Sequence, residues 1–110
     1  MGISNQQLVD LANKMMARAA LMVCLTRPNI GREDVEALRH WRDVIAGEMS
    51  SRCTAVQQLN AAIEVAAEIV EFEEGVRAEV STLIVALMVA AATGALLEAV
   101  RNADVELSNN

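Results

Sequence analysis

One short segment contains side chains that could act in catalysis or binding. It has the only histidine and the only tryptophan of the chain beside two arginines: Arg39, His40, Trp41 and Arg42. A histidine that acts as a general base needs an orienting carboxylate and a nucleophile within reach. Helical spacing brings Glu36 and Asp43 near His40, but it brings no nucleophile. The sequence therefore predicts no catalytic residue and a protein that is not an enzyme.

The same four residues are candidates for contact with a protein partner. Tryptophan and arginine dominate binding hot spots because each combines a large apolar area with directed polar groups. Three basic groups within four positions also stand out in a chain of net charge −6. The alternative is structural: Trp41 would pack in the core beside Leu38 and Ile45. Arg39 and His40 would then be solvated.

A set of carboxylates further along the chain raises the question of a metal site: Glu64, Glu68, Glu71, Glu73, Glu74 and Glu79. Di-iron bundles need Glu-x-x-His pairs from two facing helices. The single histidine has no acid three residues before it, so this pattern is not met. We expect a solvated acidic face, with no metal and no cofactor.

The two cysteines, Cys24 and Cys53, stand alone in the sequence, without C-x-x-C spacing or a histidine cluster. We expect both to be small buried hydrophobic residues in a reducing compartment. Residues 1–7 also lack the basic region and apolar run of a signal peptide. The predicted location is the cytoplasm.

Composition decides the fold class and excludes one class of partner. Only 2% of the residues are aromatic, and five glycines and one proline leave little turn chemistry for β-hairpins. Ala, Leu, Met, Glu and Gln are strong helix formers, so the predicted class is all-α. Fifteen acidic residues against nine Lys and Arg argue against nucleic acid as a partner, because clustered basic groups dominate that binding.

The first helix has a clear start and stop in the sequence. Ser4 and Gln7 have the spacing of a capping box, and Ile3 and Leu8 sit where a hydrophobic staple belongs. The helix should end before Pro28, because the residue that precedes a proline is disfavoured in helical conformation.

A second helix should begin near Gly31, with Glu33 and Asp34 in its first turn, where the helix dipole favours carboxylates. Its apolar residues keep a seven-residue repeat as far as position 70, so one continuous helix over 32–74 is an open alternative. Small and polar residues gather within 47–54, and we favour a turn there.

Short local signals mark two breaks in the helical pattern. Thr54 and Gln57 repeat the capping-box spacing after the first break. At the second, Gly75 could end one helix, and Ser81 or Thr82 could cap the next. A continuous helix across Gly75 is the alternative.

Together these features predict three or four helices in an antiparallel bundle that forms an oligomer. Residues 1–104 form the single helical domain, and residues 105–110 form a polar tail that frays. With both breaks present, the bundle has four helices of about 20 residues each.

Residues 80–97 carry no charge and limit the environment of the last helix. A helix that is apolar on all sides must be buried on all sides, and a core this small cannot cover it alone. We expect a second copy to complete the burial through an oligomer interface: Leu83, Leu87, Ala90, Gly94 and Leu97. Gly94 should lie at a close helix crossing. The alternative is a bilayer span, for which about 20 apolar residues suffice.

The predicted function is a non-enzymatic interaction module, such as a small adaptor, chaperone or inhibitor, that forms a homodimer and binds another protein. Two alternatives stay open. One is a small membrane protein with residues 80–97 as its single span. The other is an oligomer that holds a small ligand between its subunits.

Overall fold

The computed structural model describes residues 4–24, 30–50, 52–72 and 76–108. For residues 76, 77 and 103–108 it describes the backbone alone. Four α-helices make up this part of the chain: α1 (Asn5–Met22), α2 (Arg32–Met49), α3 (Thr54–Glu71) and α4 (Val76–Ser108). The described residues contain no β-strand. The prediction of an all-α fold is confirmed.

Helix α1 begins at the predicted cap. The Ser4 hydroxyl accepts a hydrogen bond from the backbone N–H of Gln7 at 3.1 Å. In return, the Gln7 side-chain oxygen accepts from the backbone N–H of Ser4 at 2.7 Å. The helix ends at Met22, ahead of Pro28 as expected. Ile3, the other half of the predicted staple, lies outside the described residues.

Helix α2 also begins where its acids predict. Gly31 is the N-cap residue, and its backbone N–H donates to the Asp34 carboxylate at 3.0 Å. Glu33 and Asp34 both lie in the first turn. A carboxylate at this position satisfies a backbone donor and interacts favourably with the positive end of the helix dipole.

The chain turns between α2 and α3, so the alternative of one helix over 32–74 is wrong. The turn passes through Ser50, whose φ of 129° is positive, and reaches Cys53, the N-cap residue of α3. Thr54 is therefore the first helical residue and not the cap. The Cys53 side chain makes no cap hydrogen bond, so the predicted capping pair of Thr54 and Gln57 is also wrong.

A second break separates α3 from α4, since α3 ends at Glu71 and α4 begins at Val76. Gly75 lies outside the described residues. Ser81 and Thr82 lie inside α4, so the prediction that one of them caps it is wrong. Residues 76–80 contain neither glycine nor proline, so nothing in them prevents a helix from starting earlier than Ser81. At its other end α4 reaches Ser108, within the predicted tail.

Helix α4 packs against both α1 and α3, and α2 packs against α3. The start of α2 lies beside the end of α3, where Arg32 and Val35 share a groove with Val70. The start of α3 lies beside the later part of α4, where residues 52–55 line a groove with residues 95–102. Neighbouring helices in these two pairs therefore run in opposite directions, as in an antiparallel bundle.

The core between the helices is aliphatic. Its largest fully buried apolar side chains are Met15, Leu38, Ile45, Leu59, Leu96, Val56, Val85 and Val89. Helix α4 has 33 residues, whereas each of the other three has 18. At about 1.5 Å per residue α4 is about 50 Å long, close to the 53 Å long axis of the molecule. Its last turns therefore continue past the start of α3.

Candidate functional site

Helix α4 is apolar on two opposite sides, and the bundle covers only one of them. The covered side packs against α1 and α3 and consists of Ala78, Thr82, Val85, Ala86, Val89, Ala92, Thr93, Leu96 and Val100. These positions recur at three- and four-residue spacing, as expected for one side of a helix. The opposite side has the same apolar character and lies at the surface of the chain.

We refer to this exposed side as the α4 apolar face, which comprises Val80, Leu83, Ile84, Leu87, Ala91, Gly94 and Leu97. Leu87, in its middle, has 71% of its surface exposed. Contiguous exposed apolar residues usually mark an interaction site in a soluble protein. Four predicted interface residues lie on this face, and the fifth, Ala90, lies half-buried at its edge.

Gly94 does not lie at a helix crossing within the chain, and the crossing expected at the oligomer interface stays a prediction. A Cβ atom built on this glycine would meet no heavy atom within 4 Å. The glycine instead leaves a notch in the exposed surface of α4, two turns after the projecting side chain of Leu87. A close crossing at Gly94 would need a helix from outside this chain.

Charged residues flank the α4 apolar face at both ends. Glu79 is exposed at the beginning of the helix, and Glu98 and Arg101 are exposed towards the other end. Among the described side chains, the face is therefore a strip of apolar surface with an acid at one end and both an acid and a base at the other.

Trp41, the centre of the predicted contact patch, lies in the core and is 8% exposed. The guanidinium of Arg18 stands 5.8 Å from the centroid of its ring, which is cation–π distance. The same guanidinium forms an ion pair of 2.5 Å with Asp34, whose side chain is almost fully buried. Trp41 and Asp34 of α2 are thereby linked to α1, and Trp41 has little surface left for direct contact with a partner.

The remaining residues of the predicted patch do not form one surface with Trp41. Arg42 binds the Asp43 carboxylate at 3.1 Å and donates to the side-chain oxygen of Asn60 on α3 at 3.3 Å. His40 is exposed. Arg39 is exposed beside a groove between α2 and α3 that Arg32 also lines. Sequence reasoning missed Arg32, which lies seven residues before Arg39 and so on the same side of α2.

The guanidinium groups of Arg32 and Arg39 have no hydrogen bond or ion pair with any residue in the described part of the chain. The groove beside them has an apolar floor, formed by Val35, Ala67 and Val70. Glu71 lines one end of it. The groove could hold an apolar side chain, and the two guanidinium groups could pair with acids next to it.

Sequence reasoning also missed Val80 and Ile84, although a signal for them was present. At about 100° per residue, both lie within about 60° of Leu87 around the helix. The signal was masked because the opposite side of α4 is equally apolar, so periodicity alone could not select the exposed side.

The cysteines are less buried than predicted. Cys24 is exposed, and Cys53 is half-buried. Both lie at helix ends, where the chain leaves the core: Cys24 follows the end of α1, and Cys53 caps α3. Among the described residues, no group of three or more His, Cys, Asp or Glu side chains could hold a metal ion.

Helix α4 also contains a segment that is long and apolar enough to cross a membrane. The segment runs over Ala78–Asn102 with a mean hydropathy of 2.3, and 39% of its most apolar window is buried in the chain. Length and composition alone are weak evidence, because the core helix of a soluble protein meets the same criteria.

Comparison with known proteins does not assign a family: no family model, curated protein or solved structure matches this chain.

Proposed function

We propose that the protein is a non-enzymatic interaction module that self-associates through the α4 apolar face. The observation that carries this proposal is the exposure of large apolar residues along one side of α4, with Leu87 71% exposed at its centre. Each square ångström of apolar surface removed from water contributes about 25 cal/mol. Covering this face with a second copy would therefore stabilise an oligomer, most simply a homodimer.

The second part of the proposal is binding of another protein in the cytoplasm, as a small adaptor, chaperone or inhibitor would do. The groove between α2 and α3 supports it, because Arg32 and Arg39 flank an apolar floor there. A partner with an apolar side chain next to acids would match this groove. Because no described residue of α4 lines this groove, the groove lies apart from the α4 apolar face.

A second candidate function is that of a membrane protein, which the segment Ala78–Asn102 favours by its length and hydropathy. We prefer the interaction module for two reasons. One side of α4 packs against α1 and α3, and Glu79, Glu98 and Arg101 fall within the apolar segment. A charge within a lipid-facing helix costs several kcal/mol unless it reaches the interface.

Fractionation of the expressed protein separates these two functions. We expect the protein in the supernatant without detergent. Recovery in the membrane fraction alone, extractable with detergent but not with carbonate, would instead favour the membrane protein.

Self-association is tested by replacing Leu87 with lysine and measuring the molar mass by light scattering over a range of concentrations. The unmodified protein should have the mass of a dimer at high concentration. Leu87→Lys should be a monomer with unchanged helical circular dichroism, because its charge would be buried only in the oligomer.

Two matched variants control for general effects of a new lysine. Leu21→Lys, on the exposed side of α1, should keep the mass of the unmodified protein. Val85→Lys, two residues from Leu87 but on the covered side of α4, should unfold the chain because its site is fully buried. A monomer mass for the unmodified protein at every concentration would refute self-association.

A further inference from the structure

The α4 apolar face has a shape that can match itself. Leu87 projects from it, and Gly94 leaves a notch in which an added Cβ would touch nothing. In a pair of helices related by a two-fold axis, a projection and a notch on the same face can meet only if the two helices run in opposite directions. In a parallel pair in register, Leu87 would face Leu87 and the notch would face the notch.

The charges at the ends of the face select the same direction. Glu79 is exposed near one end and Arg101 near the other. A parallel pair would place each of these charges against its own copy, which is unfavourable. An antiparallel pair places Arg101 of each copy beside Glu79 of the other, and so forms two ion pairs of opposite charge.

We infer that two copies of this chain pair α4 against α4 in antiparallel orientation, with Leu87 of each copy over Gly94 of the other. The inference rests on the proposed self-association and specifies its partner surface and register. A two-fold axis beside Ala90 brings Glu79 level with Arg101, and Leu83 level with Leu97. The same axis brings Leu87 level with Gly94 to within about one residue rise of about 1.5 Å.

The lateral positions of these residues agree with the two-fold axis. Across a two-fold axis between antiparallel helices, two residues meet only if they lie at similar angles around the helix. At about 100° per residue, Glu79 and Arg101 lie within about 40° of each other around α4, and so do Leu83 and Leu97. Leu87 and Gly94 lie within about 20°. One axis therefore satisfies all three pairs.

Disulfide cross-linking tests the register in the full chain. The native cysteines are first removed as Cys24→Ser and Cys53→Ala, both at positions outside the fully buried core. Leu87→Cys and Gly94→Cys are then made separately in this background. Both positions are exposed, so the fold should survive.

After mild oxidation, an equimolar mixture of the two variants should yield the mixed disulfide dimer, identified by its intact mass. A disulfide needs Cα atoms within about 7 Å. Either variant alone should cross-link little, because the axis beside Ala90 separates residue 87 from its own copy by about 9 Å along the helices.

A charge-reversal pair provides a second readout. Either Glu79→Arg or Arg101→Glu alone should weaken the dimer, by about fivefold in dissociation constant for exposed ion pairs. The double variant should restore the affinity, because each pair is then reversed but still opposite in sign.

The outcomes distinguish this inference from the proposed function. If light scattering shows a dimer but Leu87→Cys cross-links efficiently by itself, the pair is parallel or has its axis beside Leu87, and the inference is overturned, while self-association stands. A dimer in which the mixture does not cross-link overturns the register in the same way. A monomer mass for the unmodified protein overturns both.

Discussion

Trp41 shows how neighbours in sequence are separated by a helix. It occurs between His40 and Arg42, and the sequence alone allows either one contact patch that includes all three or a core position for Trp41. Successive residues on a helix point about 100° apart, so Trp41 faces the core with Leu38 and Ile45, while His40 is exposed. The spacing of Leu38, Trp41 and Ile45 in the sequence favours a core position for Trp41. The sequence does not show that α1 also contacts the Trp41 ring. Arg18, which lies over the ring, is more than twenty residues away along the chain.

Replacement of Trp41 by alanine should therefore act on stability. The cavity left by the indole should lower the free energy of unfolding by about 3 to 5 kcal/mol. Denaturant unfolding followed by circular dichroism measures this cost. Trp41→Phe is the matched control and should cost less, because it keeps an aromatic face for Arg18. An unchanged unfolding midpoint together with loss of partner binding would show that Trp41 is a contact residue after all.

At the scale of the elements, the turn between α2 and α3 concentrates local strain. Ser50 has a φ of 129° with a ψ of 146°, a combination that residues other than glycine rarely adopt. Local hydrogen bonds stabilise it. The Ser50 hydroxyl accepts from the backbone N–H of Arg52 at 3.0 Å, and its carbonyl accepts from the N–H of Cys53 at 3.3 Å.

Ser50→Gly should raise the free energy of unfolding by about 1 kcal/mol, since glycine adopts this conformation without steric cost. Ser50→Ala is the control, because it loses the hydroxyl but keeps the steric conflict, and it should be less stable than the unmodified protein. Thermal unfolding of the three proteins measures the order. A lower melting temperature for Ser50→Gly than for the unmodified chain would show that the hydroxyl matters more than the backbone strain.

The helices differ in how far the sequence could predict them. The starts of α1 and α2 were predictable because a few adjacent residues, such as Ser4 with Gln7, determine a cap by themselves. The caps expected at Thr54 and Ser81 were wrong because Ser and Thr with suitable spacing also occur inside helices. The exposed side of α4 was not predictable, since its two sides are equally apolar and only the packing of α1 and α3 selects between them.

The whole molecule is organised around α4, which contacts α1 on one flank and α3 on the other. Helix α2 packs against α3. Its link to α1 includes the ion pair between Arg18 and Asp34 and the contact of Arg18 with Trp41. Helix α4 therefore packs more extensively with α1 and with α3 than α2 packs with α3, while Leu38 and Ile45 of α2 are buried in the same core.

This order of packing implies an order of opening. Helix α2 can detach by losing its contacts to α3 and Arg18 while α1, α3 and α4 stay associated. The backbone amides of α2 should therefore exchange with solvent at a lower opening free energy than those of α4. Native-state hydrogen exchange resolves the two helices, and Arg18→Ala should speed exchange in α2 far more than in α4. Equal exchange free energies in both helices would instead mean that the bundle opens as one unit. Such a detached state would uncover the side of α3 that α2 normally covers, and the chain would then have a second, transient apolar surface apart from the α4 apolar face.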